Sequence, residues 1–122
     1  MPAYNEEAGI ADAVRGFKDR PEVDEVVVVD NNSTDRTGPL AASAGARVVQ
    51  EINQGYGFAC QRALMEATGD LVLLVEPDGT FVSTDVGKFL QYAGEFDAVL
   101  GTRTSKSAIW AGANMRWFLR YG

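Results

Sequence analysis

Apolar residues along this chain come in short unbroken runs, separated by stretches with helical spacing. EVVVVD (25–30), RVVQ (47–50), LVLLVE (71–76) and DAVLG (97–101) are the runs. Runs of this length without alternation predict strands covered on both faces, as in a parallel sheet. Residues 6–18 place Ile10, Val14 and Phe17 at i, i+4 and i+7. Residues 84–94 place Val86, Phe89, Leu90 and Ala93 at i, i+3, i+4 and i+7, an apolar stripe that would face a sheet. Residues 58–68 are helix formers, with Gly69 as the expected C-cap and Thr84 as the expected N-cap of the next helix. Strand and helix alternating in this way predict an α/β fold with an open, mostly parallel, doubly wound sheet. One domain is expected over 1–122, with no repeat, linker or low-complexity segment. The first helical pattern begins at residue 6 with no full strand ahead of it. The last segment, MRWFLRYG, is aromatic-rich and helical with nothing after it to cover it. The sheet is therefore expected to be incomplete at both ends.

Composition narrows the function classes. Eleven basic against seventeen acidic residues give a net charge of −6, which argues against a nucleic-acid binder. The one cysteine, Cys60, allows no intrachain disulfide and points to a reducing, cytoplasmic compartment. The absence of histidine excludes Ser-His-Asp and Cys-His nucleophile systems and a His-ligated zinc site. The longest apolar run, LVLLV at 71–75, is too short to cross a bilayer, and the start, MPAYNEE, does not read as a signal peptide.

Candidate chemistry sits where the predicted strands end, because ligands of open α/β sheets bind beyond the strands' carboxyl ends. VVVVDNNSTDRT (26–37) passes from four valines directly into Asp30, two asparagines and a hydroxyl pair. Ser33 or Thr34 is expected to cap the following helix, whose N-terminus favours anions. The plainer reading makes Asp30, Asn31 and Asn32 a turn and Ser33 only a cap. LLVEPDGTF (73–81) repeats the logic with Glu76 and Asp78, two apart and hence on one side of an extended chain. Two carboxylates so placed repel unless a cation lies between them, and a hard divalent ion, Mg²⁺ or Mn²⁺, fits. The plainer reading is a solvated acidic turn. NQGYGFA (53–59) is not a phosphate loop, but it lets a ligand approach the backbone. Arg103 follows the fourth run, and Arg116 and Arg120 lie one helical turn apart; they either hold phosphates or form a solvated face. Trp110, Trp117, Phe118 and Tyr121 around them are either core or a surface for a membrane or lipid chain.

PAYNEE (2–7), VVVVDNNSTDRT (26–37), NQGYGFACQRALMEATGD (53–70), VEPDGT and GTR (101–103) occur in that order. The ordered set resembles the N-terminal, nucleotide-sugar-binding half of a family 2 glycosyltransferase of the GT-A fold, over nearly the whole chain. The stretch after GTR resembles the dolichyl- or polyprenyl-phosphate sugar transferase branch, which serves cell-envelope polysaccharide or glycolipid synthesis. The resemblance implies that Pro2, Tyr4 and Glu6 line a nucleotide pocket and that Val28 and Asp30 contact base and ribose. It implies that Glu76, Pro77 and Asp78 stand on the family's D-x-D, with Glu76 and Asp78 on the metal, and that Arg103 contacts phosphate. Asp78 and Arg103 are then the residues expected to carry catalysis. The departure is Glu76, where the family's motif begins with Asp.

The implied reaction is inverting, metal-dependent sugar transfer from a UDP- or GDP-sugar. No general base for a hydroxyl acceptor is evident before residue 122, which favours a phosphate acceptor such as a polyprenyl phosphate at the membrane surface. Without a full first strand the sheet would leave open edges, so self-association by element swapping is expected, and without an acceptor half the isolated chain is expected to be inactive. Two rivals stand beside this reading. VLLVEPDGTF resembles the D-x-D-G-T of haloacid-dehalogenase-type phosphatases, but Glu76 replaces the nucleophilic Asp and only 44 residues follow Asp78. A receiver-like signalling domain fits the acids at the strand ends but not the phosphoacceptor and Lys arrangement. The non-catalytic alternative is a nucleotide-binding or interaction module.

Overall fold

The computed structural model of the chain describes residues 1–101. Three strands, β1 (Pro2–Ala3), β2 (Val27–Asp30) and β3 (Arg47–Gln50), form a parallel sheet in the order β1-β2-β3. Pro2 pairs with Val29 and Ala3 with Asp30, and β2 runs beside β3 from Val27 opposite Arg47 to Asp30 opposite Gln50. The helices are α1 (Ile10–Lys18), α2 (Thr37–Ser43), α3 (Tyr56–Glu66) and α4 (Val86–Ala93), the last preceded by a 3-10 turn at Ser83–Asp85.

The valine run of β2 is unbroken because both of its faces are covered. Val26 and Val28 belong to a core cluster with Ile10, Val14 and Phe17 of α1, Ala41 of α2 and Val86 of α4. Val29 points the other way, into a smaller cluster with Ala59 and Ala63 of α3. The sheet is thus doubly wound around β2, as the apolar runs predict. Burying a valine completely contributes on the order of 2 kcal/mol, so this strand anchors the whole sheet.

The other two predicted strands do not form. Residues 71–76 and 97–101 carry no strand pairing. A strand needs a neighbour's backbone, and β1 offers only two residues, the first a proline without an N–H. Leu71 to Leu74 consequently stay between 36% and 61% exposed, and only Val75 enters the core. The expected caps also differ. The helix α3 stops at Glu66 rather than at Gly69, with Ala67 already extended. Arg47 caps that end: its guanidinium donates to the Glu66 carbonyl and, at 3.0 Å, to the Glu66 carboxylate, while also pairing with Glu25 at 2.7 Å. Thr84 lies within the 3-10 turn and donates no cap to α4, whose N-cap position is Asp85.

At α2 the cap is neither Ser33 nor Thr34. Asp35 takes the bond from the Thr37 backbone N–H at 2.9 Å and from the Thr37 hydroxyl. Gly38 follows, and its place is dictated by contact: a Cβ there would lie 2.8 Å from the Asp30 carboxylate. Gly38→Ala is expected to lower unfolding free energy by about 1–3 kcal/mol, because Asp30 is itself bonded in place. An unchanged urea midpoint would show that the helix slides to make room.

Candidate active site

The carboxyl ends of the strands open onto a cavity of about 450 Å³. Each wall comes from the loop after one run. Pro2 and Ala3 are β1 itself and Tyr4 and Glu6 follow it, Asn31 follows β2, Gln54, Gly55, Tyr56 and Ala59 follow β3, and Glu76 ends the 71–76 run with Pro77 and Asp78 just after it. A smaller hollow of about 210 Å³ lies at the opposite ends of the strands, lined by Lys18, Glu25 and Arg47 among others. Those charged groups are committed to structural bonds: Arg47 pairs with Glu25 and Lys18 donates to the Gly45 carbonyl at 2.9 Å.

The polar burst after β2 is used mainly to tie loops together. Asn5 sits in the left-handed region at φ 54°, a conformation that Asn tolerates better than most residues. Its backbone N–H donates to the Ser33 hydroxyl at 3.0 Å, and its side-chain oxygen accepts from the Thr34 N–H at 2.8 Å. The Glu6 N–H donates to the Thr37 hydroxyl at 2.7 Å. The loop carrying Tyr4 and Glu6 is therefore docked on the loop after β2.

Asp30 is 5% exposed and its carboxylate is occupied within the protein, accepting from the Ser33 N–H at 3.0 Å and the Gln50 amide at 2.9 Å. Val28 is fully enclosed in the core. Neither is among the residues that line the cavity: alternation along β2 turns Val28 into the core, and the turn after it folds the Asp30 carboxylate under α2. Asn31, read from sequence as a turn residue, is the one that faces the cavity. Sequence reasoning also left Gln54 and Tyr56 without a role, although the Gly-rich NQGYGFA loop was expected to lie against a ligand.

The acids do converge. Glu6, Glu76 and Asp78 line the cavity, and no Lys or Arg does so among the described residues. Glu6 has its pKa raised above the ordinary carboxylate value, first by burial and then by the charges of Asp78, Asp35 and Glu76. Asp78 accepts from the backbone N–H and hydroxyl of Thr80 at 2.9 and 2.6 Å, which fixes its side chain in a turn. The Tyr56 phenol has its pKa raised above the usual phenol range, first by the Glu76 carboxylate, then by burial and then by the Cys60 thiol.

Among the described residues, no three acidic or cysteine side chains close on one point that would hold a metal unaided. The donor set is all oxygen and one-sided, and its members repel one another. It fits a Mg²⁺ or Mn²⁺ ion whose remaining ligands come from a diphosphate and water. Arg103, with Arg116, Arg120 and the aromatic residues near them, lies outside the described residues.

An open parallel α/β sheet with a cavity at its strand ends is the architecture of an α/β domain of the GT-A type. The description "Glycosyl transferase family 2" matches residues 1–120, and the chain belongs to that family. It is 38% identical over 104 residues to "Glycosyltransferase AglJ" of Haloferax volcanii, covering 84% of this chain and 34% of that protein. It is 32% identical over 109 residues to the "Dolichyl-phosphate hexose transferase" of the same organism, covering 88% of this chain and 48% of the other. Among solved structures, glucosyl-3-phosphoglycerate synthase from Mycobacterium tuberculosis, in complex with Mn²⁺, UDP and glucosyl-3-phosphoglycerate, superposes with a TM-score of 0.68. That match has 28% identity and covers 79% of this chain and 38% of that one. The chain thus spans between a third and a half of the length of these relatives.

Crowded acids leave a signature in stability. With its folded-state pKa raised, Glu6 favours the fold while it is protonated, and that contribution is lost as pH rises through the folded value. Glu6→Gln is therefore expected to raise the thermal midpoint at pH 7 and to lose this advantage near pH ~4, where the wild-type carboxyl is also neutral. An equal shift at both pH values would mean that packing rather than charge sets the effect.

Proposed function

We propose that this chain binds the donor of an inverting, metal-dependent glycosyltransferase, a nucleoside diphosphate sugar, in the cavity beyond β1 and β2. The observation that carries the proposal is the meeting of Glu6, Glu76 and Asp78 in a cavity with no basic lining residue among those described. A diphosphate would be repelled there without a cation, and the same acids would be frustrated without one. Glu76 and Asp78 hold the cation, while Pro2, Tyr4, Glu6, Pro77 and Asn31 form the walls against nucleotide and sugar. Arg103, just after Gly101, supplies a fixed positive charge to the phosphates. The bound Mg²⁺ or Mn²⁺ neutralises the diphosphate as it leaves.

UDP-sugars are the first donors to test, because the Mycobacterium tuberculosis relative was crystallised with UDP. A phosphorylated acceptor suits the site best. One relative is named for dolichyl phosphate and another for 3-phosphoglycerate. A phosphate monoester with a second pKa of about 6 is already an anion at pH 7 and needs no general base. A polyprenyl phosphate would bring the protein to the cytoplasmic face of a membrane; no helix among the described residues is long and apolar enough to cross one.

Calorimetric titration of UDP-glucose and GDP-mannose, with and without Mn²⁺, tests the site. We expect Mn²⁺-dependent binding that falls about tenfold or more in Glu76→Ala and in Asp78→Ala. Binding equally strong without metal and in both variants would refute it. The open run at 71–74 and the two-residue edge strand β1 further favour self-association of this chain. Sedimentation at micromolar concentration is expected to show a dimer or larger species; a monomer throughout would count against pairing through that edge.

A further inference from the structure

The loop between β3 and α3 is clamped to the end of β2 by Asn31, which is 4% exposed. The Asn31 amide donates to the Glu51 and Asn53 carbonyls at 3.0 and 2.8 Å, and its oxygen accepts from the Gly55 N–H at 2.7 Å. The Asn31 backbone N–H donates to the Ala3 carbonyl at 2.9 Å, tying the same residue to β1. Gly55 sits at φ 146°, a conformation open to glycine. Asn53 and Gly55 are the residues on either side of Gln54. The clamp therefore fixes the backbone of Gln54 from both sides. Gln54 itself is exposed and lines the cavity. Among the described residues, none bonds its side-chain amide.

A nucleotide's base needs something that the acids of this cavity cannot give. Ionised carboxylates only accept hydrogen bonds, and a base carbonyl has to be met by a donor. No Lys or Arg lines the cavity among the described residues, and both amide hydrogens of Asn31 are already used. The side-chain donors left on the described walls are the hydroxyls of Tyr4 and Tyr56 and the amide of Gln54. A hydroxyl donates from a single atom. A side-chain amide presents a donor and an acceptor side by side in one plane, the complement of a base edge on which a carbonyl adjoins an N–H. We propose that Gln54 reads the base of the bound nucleotide: its amide N–H donates to a base carbonyl, and its amide oxygen accepts from the adjoining ring N–H. Uracil and guanine both offer that edge. Because Asn31 fixes the loop in advance, only the Gln54 side chain has to be ordered on binding. The inference rests on the nucleotide reading of the cavity and adds to it the residue that meets the base.

The test is Gln54→Met, which keeps an unbranched side chain of similar length and removes the amide. An exposed position of this kind tolerates the change without loss of the fold. Calorimetry at saturating Mn²⁺ compares UDP, UDP-glucose and ribose 5-diphosphate, which carries the ribose and the diphosphate without the base. Gln54→Met is expected to weaken UDP and UDP-glucose about tenfold, the loss of a pair of hydrogen bonds in an open site, and to change ribose 5-diphosphate by less than about twofold. Wild-type UDP affinity in Gln54→Met overturns the proposal and leaves the nucleotide cavity standing. An equal loss for UDP and ribose 5-diphosphate also overturns it, since Gln54 would then serve the ribose or the phosphates. A loss confined to UDP-glucose overturns it in favour of the sugar. If the wild-type chain binds neither UDP nor ribose 5-diphosphate, the nucleotide reading of the cavity itself fails and this role with it.

Discussion

Val28 and Val29 are consecutive, point to opposite faces of one strand, and neither touches water. That double burial is the constraint on which the other elements depend. The sheet can only be covered on both sides if α1, α2 and α4 gather over one face and α3 over the other. Parallel pairing to β1 and β3 then sets the carboxyl ends of all three strands at one edge. Loops leaving that edge have nowhere to go but around a common hollow. The cavity is a consequence of how β2 is buried, before any of its side chains is considered.

A dry strand must give way to water abruptly, and the chain manages this with side chains that bond backbone. Asp30 and Asn31 are nearly as buried as the valines before them, and burying such groups without partners would cost a few kcal/mol each. All their oxygens and nitrogens that matter are spoken for: Asp30 by Ser33 and Gln50, Asn31 by Glu51, Asn53 and Gly55. The polar stretch therefore works first as a joint. It holds the loops after β1, β2 and β3 in register around one hollow, and Asp78, 72 residues from Glu6, lies on the same hollow and adds its charge to that of Glu6.

What the sequence shows plainly is whatever depends on local pattern. The apolar period of α1 appears in the structure as the buried trio Ile10, Val14 and Phe17. The valine run of β2 and the pair of acids in EPD likewise mark elements that stand where the pattern puts them. Pairing is different in kind, since LVLLVE reads as a strand on its own but forms none where β1 offers two residues of partner. The end of α3 was also beyond local reading, because Arg47, nineteen residues away, supplies its cap. At the site, Asn31 and Tyr56 were hidden for the same reason. Nothing local distinguishes an Asn in a turn from an Asn whose amide grips a loop 20 to 24 residues downstream.

The electrostatics of the cavity follow from these placements and not from the chain's overall charge. Net charge of −6 is spread over the surface, where water and salt screen it. Inside the cavity the Glu6 backbone is held by Thr37 and the Asp78 carboxylate by Thr80, so these acids are kept on the walls of one hollow with Glu76. The raised pKa of Glu6 reflects burial first and then repulsion from Asp78, Asp35 and Glu76 that a flexible surface would relax. On the proposed reading, a cation with a phosphorylated ligand relieves it, and the relief contributes to binding. On the same reading, the geometry that makes the empty cavity less stable also makes it selective, because an anion without a cation is turned away.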